Sequence, residues 1–244
     1  MTPLVATLAA GDPAWTGFAA AVLLGALLAL DDTAYAQTWL SQPLPAALLT
    51  GAALGDPAAG LALGLPLQLV LVGNLPVGQG FTGDPTTATV AVTAAAVLGG
   101  VEFAPDRAAA TAVGWLLPAV ALLSAAGQHA VKLERRGNTA WMLLGHRTLR
   151  DGDLGRIGRL HLRCLAVTAA RGAAVTAAAL LLVLELWLPL LPRLTDRAAA
   201  ACALLPLLVP ALALGALVEQ YGVRRAAPWV AAGLTTAAVW AVLA

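Results

Sequence analysis

The sequence predicts an all-α polytopic membrane protein with roughly six to eight membrane-inserted segments, including short re-entrant or broken helices. Three observations carry this. Of the 244 residues, 60% are hydrophobic and only 11% charged, against about 25% charged in ordinary soluble domains. The mean hydropathy is +0.83. The apolar runs also reach the about 20 residues needed to cross a bilayer, several times over. A soluble enzyme with so few charges has no means of staying dispersed, and intrinsic disorder, a disulfide scaffold and a nucleic-acid binder are excluded with it. Cys164 and Cys202 lie far apart and match no metal-site or redox spacing. Seven residues are Trp, which favours membrane–water boundaries.

The elements follow in order. Residues Met1 to Leu30 carry Asp12 instead of a basic start and show no clear cleavage site, so they do not read as a signal peptide. The first apolar run, Trp15 to Leu30, ends abruptly at Asp31 and Asp32. Pro43 to Leu54 is too short to span unaided, and Pro57 to Leu75 is interrupted by Gly64, Pro66, Gln68, Gly73 and Asn74. Five further helices are expected over Thr86 to Ala104, Arg107 to Val131, Leu165 to Leu191, Ala198 to Val218 and Ala226 to Ala244. Their many small side chains permit close helix approach in lipid. Gly11-Asp12-Pro13, Gly55-Asp56-Pro57 and Gly83-Asp84-Pro85 repeat one pattern, in which Asp caps free amides and Pro opens a helix.

The segment from Lys132 to Arg163 is the one clearly hydrophilic stretch. It carries eight of the fourteen Lys and Arg and three acids, Glu134, Asp151 and Asp153, for a net +5, while the rest of the chain sums to −4. Basic loops stay on the cytoplasmic side. That places this segment inside, the loop around Glu102, Pro105 and Asp106 outside, Tyr221 to Arg225 inside and the C-terminus outside. Trp141-Met142-Leu143-Leu144 with scattered Arg reads as an amphipathic helix lying on anionic lipid or docking a partner, in preference to phosphate chemistry at His146 and His161.

Polar groups at membrane depth mark function by default. The densest set is Asp31, Asp32, Gln37, Gln68, Asn74, Gln79 and Asp84, on the same stretch as the broken segments, where transporters place substrates. Amides and carboxylates together suit a neutral polyhydroxylated ligand, which both donates and accepts. Outside this set, Gln128 and His129 read as ending a helix near the inner face. Arg171 reads as snorkelling toward the cytoplasmic end, with Glu185 at the outer boundary. Intramembrane enzymes fail on residues. Neither serine, Ser41 or Ser124, sits in a Gly-x-Ser-x-Gly setting, Phe81-Thr82-Gly83-Asp84 lacks the leading glycine of Gly-x-Gly-Asp, and no His-Glu-x-x-His occurs.

In order along the chain stand Leu30-Asp31-Asp32, Gln42-Pro43-Leu44, Leu54-Gly55-Asp56-Pro57, Gly60, Gly64, Leu67-Gln68-Leu69, Gly73-Asn74-Leu75-Pro76-Val77-Gly78 and Asp84. This block, residues 30 to 85, resembles the sugar-conducting IIC subunit of the mannose/fructose/sorbose family of the bacterial phosphotransferase system. The resemblance implies a single multi-pass permease domain over 1–244 in the bacterial inner (cytoplasmic) membrane. Its parts are a sugar-site half about 14–131, a cytoplasmic basic amphipathic loop about 132–163 and C-terminal helices about 165–244. It implies a IID membrane subunit and cytoplasmic IIA and IIB phosphocarriers as hetero-oligomeric partners. The phosphohistidines lie on IIA and IIB, so this chain has no catalytic residue, cofactor or metal of its own. The substrate-binding residues it implies, for a hexose-like sugar near the bilayer midplane, come from Asp31, Asp32, Gln68, Asn74 and Asp84, with Asp84 and one of Asp31 or Asp32 accepting from sugar hydroxyls. The chain departs from the family in having Gln68 where Glu is common, and in the Gln79-Gly80-Phe81-Thr82-Gly83 approach to Asp84. The rival readings are a non-transporting membrane sensor or docking component for phosphocarriers, and an unrelated secondary carrier.

Overall fold

A computed structural model describes residues 13–71, 83–150 and 152–243. Among the described residues there are eight α-helices and no strand. In chain order they are α1 (Pro13–Thr33), α2 (Pro43–Ala53), α3 (Pro57–Val70), α4 (Pro85–Leu98), α5 (Arg107–Arg150), α6 (Leu154–Leu182), α7 (Asp196–Tyr221) and α8 (Val223–Leu243). Four helical stretches are long and apolar enough to cross a membrane, Ala14–Thr33, Arg107–Arg150, Leu154–Arg193 and Asp196–Glu219, and α2, α3 and α4 are shorter apolar helices. The broken character expected of the first half is therefore present, with the breaks where glycine, aspartate and proline interrupt the apolar runs.

Local chemistry explains the helix starts. Asp56 caps α3 by accepting from the Ala59 amide at 2.9 Å, and Asp84 caps α4 by accepting from the Thr87 amide at 3.2 Å, each with proline in the first turn. Gly11 and Asp12 of the first such tripeptide lie outside the described residues. Asp106, Asp153 and Thr195 cap α5, α6 and α7 in the same way. At its far end α6 passes into a π turn over Val183–Trp187 and a 3-10 turn over Leu188–Arg193. Pro189 and Pro192 lack the amide hydrogen that would continue the helix. Across this bend Trp115 and Trp187 stack at 4.9 Å and exchange indole-to-carbonyl bonds of 3.1 and 3.0 Å.

Helix α4 is the axis of the bundle, touching α1, α2, α3, α5 and α6. Every residue from Pro85 to Ala96 is buried, as befits a helix without a polar face. Its 14 residues rise only about 21 Å, less than a bilayer core of about 30 Å, so it begins inside the protein. Small residues set the spacing around it. A Cβ on Gly127 of α5 would lie 2.8 Å from the Asp84 Cβ, and one on Gly114 would overlap the Cys202 carbonyl of α7. Only glycine lets these backbones meet. On the outside of the bundle, Leu204, Leu207, Leu208 and Leu212 of α7 are more than half exposed, the face a lipid-soluble surface requires.

Helix α5 has 44 residues, about 66 Å of rise, twice the hydrocarbon thickness. It runs without a break through the basic segment to Arg150, and α6 returns from Leu154 past Gly152, which takes a left-handed φ of +75°. The hydrophilic stretch is thus a projecting helical hairpin, pinned where the Arg163 guanidinium lies 5.6 Å over the Trp141 ring.

Candidate functional site

The buried start of α4 gathers the charged residues. Asp84, 1% exposed, is held at three points. Its backbone N–H donates to the Ser124 carbonyl at 2.9 Å, Oδ1 caps Thr87, and Oδ2 accepts from Arg171 Nη1 at 2.5 Å. The same guanidinium donates through Nε to Glu134 Oε2 at 2.5 Å. Glu134 Oε1 accepts from the Thr168 hydroxyl and, at 3.3 Å, from Asn138 Nδ2. The three charged side chains are 6%, 2% and 7% exposed for Arg171, Asp84 and Glu134. Ion pairs this deep survive only with close geometry and hydrogen bonds to the remaining lone pairs, and these have both. Asp32, 6% exposed, lies within electrostatic reach of Asp84, Arg171 and Asp31.

Arg171 therefore does not snorkel to the cytoplasmic boundary, as its place at the end of an apolar run suggested; it is enclosed and joins α6 to α4 and α5. Glu134, counted from sequence among the acids of the hydrophilic segment, is its second partner. The signal was present in the rule that an ionisable residue within an apolar helix has a partner, but the partners lie 37 and 87 positions away.

Asp31 faces a different task. Its Oδ1 accepts from Thr38 N–H at 2.7 Å and from the Thr38 hydroxyl at 2.6 Å, and its Oδ2 from Ser41 N–H at 3.0 Å. The loop it holds contains three non-glycine residues with left-handed backbones, Ala36 (φ 68°), Gln37 (φ 53°) and Trp39 (φ 70°). Each such residue costs of order 1–3 kcal/mol and persists only where its surroundings hold it, and the Asp31 carboxylate supplies that hold. Gln37 itself is exposed on this loop. The loop reaches α4 where the Thr86 hydroxyl donates to the Ser41 carbonyl at 3.0 Å.

Gln68 of α3 accepts through Oε1 from the Leu44 amide at 3.1 Å, satisfying a first-turn N–H of α2, and its Nε2 donates to Gln42 Oε1 at 3.5 Å. Asp31 and Gln68 thus bond the backbone at Ser41 and Leu44, Thr86 ties Ser41 to the first turn of α4 that Asp84 caps, and Asp32 interacts electrostatically with Asp84. Asn74 and Gln79, with the Gly73 and Gly78 bends, lie outside the described residues.

Short helices whose ends meet at a polar centre inside an apolar bundle define a polytopic membrane protein with the build of a transporter. The chain belongs to the family described as the sorbose-specific IIC component of the PTS system, whose family model matches residues 16–243. An IIC component is a transport subunit of such a system. Among solved structures, one described as "structure of membrane protein" superposes with a TM-score of 0.71 at 20% identity, covering 93% of this chain and 86% of the other. The mannose transporter ManYZ, solved by cryo-electron microscopy in complex with microcin E492 (MceA), gives a TM-score of 0.58 at 20% identity, with 93% and 86% covered. No curated protein matches the sequence.

Proposed function

We propose that this chain is the sugar-translocating IIC subunit of a phosphoenolpyruvate-dependent phosphotransferase system of the mannose/fructose/sorbose type. It works in the bacterial inner membrane with a IID membrane subunit and with IIA and IIB, which carry the phosphoryl group. The observation that supports this beyond family membership is the convergence of Asp31, Asp32, Gln68 and Asp84 at the meeting point of broken helices. Carboxylates accept from sugar hydroxyls, an amide both donates and accepts, and the apolar surroundings make each bond stronger than in water. Asn74 belongs to the proposed set on the family resemblance. Although Asp84 already binds Thr87 and Arg171, a carboxylate has about four lone-pair sites, so acceptor capacity remains.

Depth follows from α5. Ser124, which holds Asp84, lies about 26 Å along the helix from Arg107; with Arg107 at the outer boundary, this supports a site toward the side from which the basic hairpin projects, deeper than the midplane position expected from the resemblance. A cytoplasmic hairpin then puts the site within reach of partners that phosphorylate an arriving sugar. The test is uptake in membrane vesicles supplied with IIA, IIB, IID and phosphoenolpyruvate. Phosphorylated mannose or sorbose should accumulate, and Asp84→Asn and Gln68→Ala should each reduce the rate. Unchanged uptake in both variants refutes the site, and uptake independent of phosphoenolpyruvate refutes the system.

One observation favours a second reading, a docking component without transport. Arg147, Arg150, Arg156 and Arg159 are all exposed on the projecting hairpin, free to meet an acidic phosphocarrier surface. On that reading, neutralising these four abolishes partner capture while Asp84→Asn has no effect.

A further inference from the structure

The ionic cluster leaves one strong donor unspent. Arg171 has three nitrogens: Nε goes to Glu134, Nη1 to Asp84, and Nη2 is buried without a hydrogen-bond partner among the described residues. A buried guanidinium N–H without an acceptor is more costly than an ordinary orphaned polar group, and native proteins leave few of these unexplained. The Thr87 hydroxyl, in the first turn of α4 whose backbone N–H Asp84 caps, is also buried and without a hydrogen-bond partner among the described residues. Asp32 adds a buried carboxylate within electrostatic reach of both Arg171 and Asp84. Thus a donor held rigid by two carboxylates, a carboxylate that interacts with it electrostatically and an unpartnered hydroxyl one turn from Asp84 are all buried, on α6, α1 and α4.

We propose that Arg171, which no comparison assigns, is a substrate-contacting residue. Its Nη2 donates to one hydroxyl oxygen of a neutral polyol, Asp32 accepts from a neighbouring hydroxyl, and Glu134 is a positioning residue that aims the guanidinium. This rests on the sugar reading above and makes it specific. The charge balance selects the ligand class. Asp84 and Glu134 both contact the Arg171 guanidinium, and counting Asp32 with Asp31 and Arg135, which act on it electrostatically, four carboxylates stand against two guanidiniums, so the cluster has no net positive charge to hold an anionic ligand such as a sugar phosphate. A metal ion or ammonium group has no acceptor to offer Nη2. A neutral hydroxyl pair satisfies the donor and the acceptor together. The site accordingly holds the sugar before phosphorylation and disfavours it afterwards.

The experiment is a cycle of protein variants against deoxy ligands, using the chain in nanodiscs with its co-purified membrane partner. Binding of D-mannose, L-sorbose and their monodeoxy analogues is measured by calorimetry. Arg171→Lys keeps a cation between Asp84 and Glu134 but loses the third nitrogen. It should weaken the parent sugar by about ten- to a hundredfold, the worth of a hydrogen bond to a charged group, yet leave one monodeoxy analogue unaffected. Asp32→Asn should give the same pattern with a different analogue, and the Glu134→Gln variant, which misaims the guanidinium, carries the test of Arg171 if the lysine variant does not fold. Glu134→Gln should weaken the same sugars as Arg171→Lys, by less. Losses spread evenly over all analogues would show that Arg171 is structural and overturn the proposal, leaving the sugar site in place. A wild-type complex that binds neither sugar nor any analogue overturns the sugar reading itself.

Discussion

Replacing Arg171 by methionine removes the guanidinium that Asp84 and Glu134 share while keeping most of the side-chain volume. Both carboxylates are more than nine-tenths buried, so neither can turn to water without moving its helix. Breaking a buried pair by deleting one partner costs about 3–5 kcal/mol, because the remaining charge is uncompensated. Asp84 also fixes the start of α4 through Thr87 and Ser124, so the strain is delivered to the central helix of the bundle. For a chain of this size 1 kcal/mol moves the melting temperature by about 2–4 °C, so Arg171→Met should lower Tm by about 6–20 °C. Intrinsic tryptophan fluorescence during heating in detergent reads this directly, since Trp115 and Trp187 report the packing of α5 against the end of α6. The triple variant Arg171→Met, Asp84→Asn, Glu134→Gln removes all three charges and should recover at least half the loss. Arg136→Met, at an exposed position on the same hairpin, should leave Tm within about 1 °C of wild type, the usual range for surface changes. If Arg171→Met melts with the wild type, or the triple variant is no better than the single, uncompensated charge is not what Arg171 prevents.

Three further outcomes follow from the geometry. Asp31→Ala releases Thr38 and Ser41 from a charged acceptor and frees the strained loop, so chymotrypsin should cut rapidly at Tyr35 or Trp39, both exposed; resistance equal to wild type would refute that hold. Ala36→Gly removes a left-handed non-glycine backbone and should stabilise by about 1 kcal/mol, seen as a Tm raised by about 2–4 °C; a lower Tm would show the loop is not strained. Trp115→Phe keeps the ring stack but loses the indole bond to the Trp187 carbonyl, and should cost about 0.5–1.5 kcal/mol while weakening the paired-indole signal in near-UV circular dichroism.

Much of the fold was legible because membrane insertion writes itself into composition. Where a capping aspartate and proline coincide, at Asp56-Pro57 and Asp84-Pro85, helix starts could be placed to the residue, since the signal and its target amide are three positions apart. The helix ends were less clear: the apolar run after Thr86 continues to Ala104, but the helix stops at Leu98. Gly99 and Gly100 end it there, the latter with a left-handed φ of 68°. The hydrophilic segment concealed a continuation of α5 because charged residues are as helical as apolar ones once they leave the bilayer.

The sequence by itself determined what depends on neighbours along the chain: the membrane environment, the helix starts, the crowding of polar residues between Asp31 and Asp84, and the family block that names the class. Only the tertiary structure decided which of those polar groups share work. Asp31 and Asp32 are adjacent in sequence, yet one staples a loop while the other faces the ion cluster, because successive side chains on a helix point about 100° apart. Arg171 read as a snorkelling residue and Glu134 as one acid of the hydrophilic segment until α6 folded back on α5 and brought both to the start of α4. Ion pairing depends on through-space distance, and no local pattern encodes a contact made 87 residues away.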